Sequence, residues 1–184
     1  MGCMVGADDP NPVIRLRKAT QADAEIFAEL EQSAGLSFRA DREIAWLADA
    51  DNLPVERYRE IIAEGWSWIA EGGRAQPVAF VAATLEGEEL HIWEFNVHIE
   101  CQRRGIGRGL LQRLIAEAAA ARIPAMTLTT FRDVPWNAPF YRSMGFEMVA
   151  PEQFAPRLAG LLAAEARKGL PAERRCAMRR KLLT

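Results

Sequence analysis

The stretch CQRRGIGRGLL, residues 101–111, sets two glycines among arginines just ahead of a leucine-rich run. The first turn of a helix has N–H groups without partners and a partial positive charge, so it attracts anions. A phosphate can approach those groups only where Cβ atoms are absent, which gives Gly105 and Gly107 a physical use. Positive charge is added by three arginines, Arg103, Arg104 and Arg108. The pattern predicts a pyrophosphate-binding loop that opens a helix running from Gly107 to about residue 122.

Two other phosphate-binding patterns do not fit this loop. A Walker sequence needs lysine and then serine or threonine after its second glycine, whereas Arg108 and Gly109 stand here. A dinucleotide fingerprint needs a third glycine at the position that Leu110 occupies. The loop alone leaves one alternative open, a glycine-rich helix entry with exposed arginines and no ligand.

The periodicity of the remaining chain predicts strands and helices in a defined order. Strands are predicted over 13–19, 66–71, 78–85, 90–97, 125–130, 146–149 and 175–183. Helices are predicted from Thr20 to Gly35, near 42–49 and 55–64, over 136–144 and over 152–168. This order predicts an α/β (mixed α+β) fold, in which helices cover both faces of a mixed, mainly antiparallel sheet of about six to seven strands.

Two segments resemble signatures of the GNAT superfamily of acyl-CoA-dependent N-acetyltransferases. The text EFNVHIECQRRGIGRGLLQRLI from Glu94 onward resembles its acetyl-CoA signature, in which 102–107 match all the fixed positions. NAPFYRSMGFEMV, residues 137–149, resembles the second signature, with a tyrosine four residues before a Gly-Phe pair. The resemblance covers residues 13–149 in the order of elements and implies a GNAT-like fold.

The chain departs from the family pattern at three places. Ile99 stands where a proline often follows the histidine, and Val134 stands where an asparagine usually precedes the tyrosine by seven residues. The helix predicted over 152–168 lies between the last two strands, where the family often has only a turn. This insert is a candidate for shaping the substrate mouth or a dimer contact.

The resemblance implies that acetyl-CoA is the cosubstrate and that the acceptor amine attacks its thioester directly. It places backbone groups of Val97 and Ile99 on the pantetheine arm and the thioester carbonyl. The pyrophosphate would bind the N–H groups of residues 103–108, namely Arg103, Arg104, Gly105, Ile106, Gly107 and Arg108. The other residues that we assign to the cofactor are His98, Gln102 and Asn137.

Tyr141 and Glu94 are the candidate catalytic residues under this resemblance. A phenol can protonate the departing thiolate, so Tyr141 is the candidate general acid; the alternative is a tyrosine that only packs. Glu94 is an acid in an otherwise apolar strand, so it is the candidate base, acting through water, or else the partner of an arginine. Glu100 and His98 are weaker candidate bases. Candidates for the acceptor pocket, each with a structural alternative, are Phe38, Trp46, Trp66, Trp136, Thr129 and Thr130.

The composition limits the classes of function. The net charge of −2 over 184 residues gives no general attraction for nucleic acid or anionic lipid. On that ground we expect no nucleic-acid partner. No apolar run is long enough to span a bilayer, so we expect no membrane partner either. Three widely spaced cysteines and two histidines predict no metal site, and they favour reduced thiols in a cytoplasmic protein. We expect a disordered tail over 1–12 and a single domain over 13–184.

The sequence therefore predicts an N-acetyltransferase that moves the acetyl group of acetyl-CoA to a primary amine of a small molecule. One alternative with the same chemistry is acetylation of a protein N-terminus or lysine, which needs an open groove. Another alternative is a non-catalytic acyl-CoA-binding module on the same fold. A homodimer is possible by analogy with the family.

Overall fold

The computed structural model describes residues 14–183, which form seven strands and five α-helices. The strands are β1 (Arg15–Lys18), β2 (Trp68–Glu71), β3 (Pro77–Glu86), β4 (Glu89–Val97), β5 (Ala125–Phe131), β6 (Glu147–Met148) and β7 (Arg175–Lys181). The helices are α1 (Ala24–Gly35), α2 (Val55–Ala63), α3 (Ile106–Ala120), α4 (Ala138–Ser143) and α5 (Pro156–Arg167). The mixed α/β class with a mainly antiparallel sheet is confirmed.

The chain divides into two compact units. The first holds the residues up to Leu85 together with Ile92–Leu114, and the second holds Glu86–His91 and the chain from Ile115 onward. The tail expected over 1–12 lies outside the described residues, and the single domain over 13–184 stays a prediction.

The core of the first unit forms where α1 and α2 pack on the strands. β2 pairs antiparallel with β1 and with β3. Phe27 of α1 stacks on Phe80 of β3 with ring centroids 4.0 Å apart. Tyr58 of α2 meets both rings edge-on, at 5.5 Å from each. All three side chains are fully buried, so their burial fixes both helices against the strands.

The entry to α1 is fixed by a buried ionic group. The backbone N–H of Thr20 donates to Asp23 at 2.7 Å, closing a capping box, and a short 3-10 turn precedes α1. Arg17 of β1 donates to both carboxylate oxygens of Asp23, at 2.8 and 2.7 Å, and to Glu71 of β2 at 2.6 Å. The hydrogen bond from Arg17 holds the pKa of Asp23 below its ordinary value. Thr20 therefore caps a helical segment, as predicted from the sequence. The α-helix α1 itself begins four residues later.

The second unit is built on β5 and β7. These strands pair antiparallel along their whole length, from Ala125 opposite Lys181 to Phe131 opposite Arg175, and β6 pairs with β7. The predicted insert helix lies against β5. Arg157 at its start donates to Thr127, and Glu165 near its end accepts from Thr129 at 2.6 Å.

Three predicted features differ from the structure. The helix predicted near 42–49 is a 3-10 turn over Ala45–Asp49, because Ile44 has φ −117° and ψ 10°, outside the helical region. The helix predicted over 152–168 begins only at Pro156, because a residue before proline is pushed into extended backbone, as Ala155 is. Cys176 is a buried free thiol, whereas Cys101 is disulfide-bonded, contrary to the expectation of reduced thiols; Cys3 lies outside the described residues.

Candidate active site

The glycine loop lies at the start of α3, as the sequence predicts. Gly105 has φ +79°, and a Cβ built on it has no heavy atom within 4 Å. Its carbonyl accepts the N–H of Gly109 at 3.0 Å, which marks Gly105 as the residue that caps α3. The helix geometry leaves the first-turn N–H groups, such as those of Ile106 and Gly107, without intrahelical acceptors. The arginines at 103, 104 and 108 are exposed around this end of the helix.

Gly107 has a packing role that the sequence analysis did not foresee. A Cβ at this position would lie 3.2 Å from the ring of Phe95 and 3.3 Å from a methyl group of Val97. Both side chains belong to β4, so the missing Cβ lets the first turn of α3 lie close to that strand. The predicted contact of Gly107 with a phosphate stays a prediction.

Side chains tie the segment between β4 and α3 to the body of the first unit. Gln102 donates to the carbonyl of Val97 and to Ser37, each at 3.1 Å. The N–H of Ile99 donates to Ser33 at 3.2 Å, and the N–H of His98 donates to the carbonyl of Val78 at 2.9 Å. The segment is thus held in place by protein contacts at the positions that we assign to the pantetheine arm.

The His98 ring caps the turn that follows β4. Its Nδ1 accepts the N–H of Glu100 at 3.3 Å. That contact favours a structural role for His98 over the role of a base.

Glu94 lies half-buried in β4 and accepts a hydrogen bond from Asn96 at 3.2 Å. The charge of Glu94 also acts on Tyr58 of the same unit. The hydroxyl of Tyr58 donates to Glu31 of α1 at 2.6 Å. Burial, and then the charges of Glu94 and Glu31, raise the pKa of Tyr58 above its ordinary value. Burial likewise raises the pKa of Glu31.

The sequence analysis did not single out Glu31 or Tyr58. A signal was present in α1, because Glu31 follows the buried residues Phe27 and Leu30 at helical spacing. A carboxylate next to the inward stripe of an amphipathic helix needs either a partner or a ligand. The partner itself, Tyr58, lies on a different helix and carries no local pattern that links the two.

Tyr141 lies on α4 in the second unit. It is 8% exposed, and its ring meets Phe140 at 5.3 Å and Phe146 at 5.8 Å between centroids. Its carbonyl accepts the N–H groups of Met144 and Phe146, which closes the end of α4. The ring of Tyr141 is therefore held firmly. This fits both interpretations, a tyrosine that only packs and a general acid held in position.

Asn137 caps α4 and carries a buried donor without an acceptor. Its side-chain oxygen accepts from Thr130 at 2.8 Å. Its side-chain nitrogen Nδ2 is buried and has no hydrogen-bond partner among the described residues. An unsatisfied buried amide is costly, so this atom is suited to a ligand that brings an acceptor.

The other candidates for an acceptor pocket are of three kinds: exposed tryptophans, half-buried aromatic residues and threonines whose hydroxyls are hydrogen-bonded. Trp46 and Trp136 are 44% and 41% exposed. Trp66 is half-buried with the ammonium of Lys18 5.6 Å from its ring centroid, and Phe38 is half-buried. The hydroxyls of Thr129 and Thr130 are both bonded within the second unit. The two threonines therefore serve to fix α5 and Asn137.

Among the described residues there is no group of three or more His, Cys, Asp or Glu side chains that could hold a metal ion. In the same part of the chain, the helices are too short or too polar to cross a membrane.

Residues 27–146 match the model of the acetyltransferase (GNAT) family. The match includes the glycine loop, Glu94 and Tyr141, and it covers well over half of the 184-residue chain. The chain therefore belongs to the acetyltransferase (GNAT) family.

Comparison with known proteins gives relatives of the same kind. Over 130 residues the chain is 28% identical to the chloroplastic serotonin N-acetyltransferase 2 of Oryza sativa subsp. japonica, covering 68% of this chain and 64% of that protein. The chain thus spans less than two thirds of the length of that relative.

Two solved structures share the fold. The PaiA N-acetyltransferase from Thermoplasma acidophilum, in complex with coenzyme A, superposes with a TM-score of 0.67 at 15% identity, covering 92% of this chain and 99% of that chain. The ribosomal-protein-S18-alanine N-acetyltransferase from Escherichia coli gives a TM-score of 0.65 at 14% identity, covering 94% of this chain and 96% of that chain. At these identities the likeness shows the fold alone.

Proposed function

We propose that this protein is an acetyl-CoA-dependent N-acetyltransferase that acetylates a primary amine of a small molecule. The observation that carries the proposal is the open loop at Gly105, which caps α3 in a chain of this family. An exposed helix start with a glycine at positive φ and arginines around it suits a pyrophosphate.

Two features of the structure fit acetyl-CoA as cosubstrate. The space beside Gly105 that a Cβ would occupy is empty of protein atoms, and the first-turn N–H groups of α3 face no intrahelical acceptor. The orphaned Nδ2 of Asn137 would gain an acceptor from a ligand carbonyl or phosphate. Residues 103–108 would hold the pyrophosphate, and the segment from Val97 to Ile99 would orient the pantetheine arm.

The reaction that these residues would support is direct aminolysis of the thioester. An aliphatic amine enters as an ammonium ion, and Glu94 accepts one proton through water to free the nitrogen lone pair. The nitrogen then attacks the thioester carbon, so that a C–N bond forms and the C–S bond breaks. The departing thiolate takes the proton of the Tyr141 hydroxyl, and the second proton of the nitrogen restores the phenol. The products are an N-acetylamine, coenzyme A thiol and one proton.

A small-molecule acceptor is supported by the name of the rice relative, which gives serotonin as the amine that protein acetylates. The E. coli neighbour acetylates a ribosomal-protein alanine by its name, so a peptide acceptor is the competing outcome of the test. A cytoplasmic location and a homodimer stay predictions.

The test is a thiol-release assay with the purified protein, acetyl-CoA, and separate panels of primary amines and peptides. We expect amine-dependent release of coenzyme A and a product mass increased by one acetyl group. Release with peptides alone would replace the small-molecule acceptor by a protein acceptor. Tight binding of acetyl-CoA without turnover on either panel would leave only the non-catalytic binding module.

A further inference from the structure

We propose that Arg180 of β7 is a positioning residue for Tyr141, which it holds in place through the turn that ends α4. This inference rests on the proposed function, because it takes the Tyr141 hydroxyl as the acid that protonates the departing thiolate. Arg180 itself would touch neither substrate. It acts through the backbone of α4 and so sets where the phenol lies.

The turn that ends α4 is a Schellman motif that includes Tyr141. The N–H of Phe146 donates to the carbonyl of Tyr141 at 3.1 Å. The N–H of Gly145 donates to the carbonyl of Arg142 at 3.0 Å, and Gly145 supplies the positive φ, +82°, that this motif needs. The ring centroids of Tyr141 and Phe146 lie 5.8 Å apart, which is the apolar contact that often accompanies the motif. The backbone and the ring of Tyr141 are therefore fixed by the geometry of this turn.

Arg180 holds this turn from the sheet. Its Nη1 atom donates to the carbonyl of Met144, the residue that caps the end of α4. A Cβ on Gly145 would lie 2.7 Å from the same nitrogen, so the guanidinium lies directly against the glycine. Arg180 is opposite Met126 of β5 in the strand register, so its backbone is fixed in the sheet. Its positive charge also suits the C-terminal end of a helix, because the carbonyls there carry partial negative charge.

The other end of α4 is held from the same pair of strands. The hydroxyl of Thr130 on β5 donates at 2.8 Å to the side-chain oxygen of Asn137, the residue just before α4. The helix has only six residues, and a helix of that length does not hold its own geometry in water. The place of Tyr141 therefore depends on the anchors at the two ends of α4, Thr130 and Arg180.

The guanidinium of Arg180 is a costly anchor. It is half-buried, and its Nε atom is buried without a hydrogen-bond partner among the described residues. An unsatisfied buried donor lowers stability, and an apolar side chain at this position would avoid that loss. Stability alone therefore does not account for an arginine here. Placement of a catalytic phenol does, because small displacements of a reacting group reduce the rate strongly.

The test is a double-mutant cycle on kcat, with amine-dependent release of coenzyme A as the assay. Arg180→Met keeps an apolar stem and removes the donors. It should lower kcat by about tenfold and leave KM for acetyl-CoA within about twofold, because the phenol is displaced while the cofactor loop is untouched. In the Tyr141→Phe background the same substitution should change kcat by less than about twofold, since the hydroxyl through which Arg180 acts is already gone.

Two further variants complete the experiment. Arg180→Lys keeps a positive charge and a donor for the Met144 carbonyl, so it should restore kcat to within about threefold of the native value. The same cycle is run with Arg180→Lys if Arg180→Met does not fold. Arg179→Met is the matched control, because Arg179 is the adjacent residue of β7 and its side chain bonds Glu89 at 2.6 Å. It should leave kcat unchanged.

A loss of the same factor in the native and Tyr141→Phe backgrounds, or a loss that Arg179→Met reproduces, would show that Arg180 only stabilises the fold. Either result would overturn the inference while the proposed function stands, as would an unchanged kcat in Tyr141→Phe itself. Absence of amine-dependent release by the native protein would instead remove the proposed function, and the inference with it.

Discussion

At Gly107 the first turn of α3 lies against two side chains of β4, the Phe95 ring and a methyl group of Val97. Gly105, two residues earlier, faces open space and adopts a positive φ. The same residue type thus serves two needs within one loop. Gly105 supplies a backbone conformation that other residues rarely adopt, and Gly107 supplies the absence of a side chain.

A substitution series separates these two needs. Gly107→Val should lower the free energy of unfolding by about 1–3 kcal/mol more than Gly109→Val, because overpacking forces Phe95 and Val97 to move. Gly109 is the matched control, since a Cβ there meets nothing within 4 Å. Urea unfolding of the two variants measures the difference. Equal losses at both positions would show that helix propensity, and not the contact with β4, sets the effect.

Tyr141 is the residue at which packing and catalysis can be told apart. Tyr141→Phe keeps the ring contacts with Phe140 and Phe146 and removes only the hydroxyl. We expect kcat to fall by about 10–100-fold, the usual contribution of a general acid, while binding of acetyl-CoA stays unchanged. Steady-state kinetics and calorimetry test this together. An unchanged kcat would assign Tyr141 to packing alone.

At the scale of elements, α5 is tied to β5 by polar groups that lie in the interior. Arg157 and His91 both bond the hydroxyl of Thr127, each at 2.9 Å, and Thr127 is fully buried. Burial, and then the charge of Arg157, lowers the pKa of His91 to about 3. His91 is therefore neutral in the folded protein near neutral pH, next to an arginine that stays charged.

This arrangement gives a pH dependence with a defined sign. Since the folded pKa lies below the ordinary 6.5, the stability that neutral His91 supplies is fully present above about pH 6.5. It is lost as the pH falls toward 3, by at most about 1.4 kcal/mol per pH unit. His91→Asn keeps a bond to Thr127 and cannot take up a proton. The native protein should therefore lose stability relative to this variant between pH 6.5 and 5.

Thermal or urea unfolding of both proteins across that pH range measures the effect. Carboxylates elsewhere titrate equally in the two proteins, so the difference between them reports His91. A difference that does not change with pH would contradict the buried neutral histidine.

At the scale of the whole molecule, the features that could be predicted from the sequence are those that short stretches of residues encode. Periodicity gave the order of strands and helices, and Gln102–Gly107 with Tyr141 indicated the family, because these signals lie within short windows. The sequence pattern did not indicate the hydrogen bond between Glu31 and Tyr58, because those residues belong to different helices, 27 positions apart. It missed the packing role of Gly107 because the contact with β4 arises only when strand and helix meet.

The central claim is that the loop opening α3 binds the pyrophosphate of acetyl-CoA, and calorimetric titration of acetyl-CoA tests it most directly. The native protein should bind with a dissociation constant on the order of 10 µM, as is usual for substrates. Gly105→Glu fills the open space with a negative charge and should abolish binding. Gly65→Glu is the control, because Gly65 also has a positive φ, +82° against +79°, and open space around it. Loss of binding in Gly105→Glu alone is the predicted result; equal binding by all three folded proteins, or none by the native protein, would contradict the account.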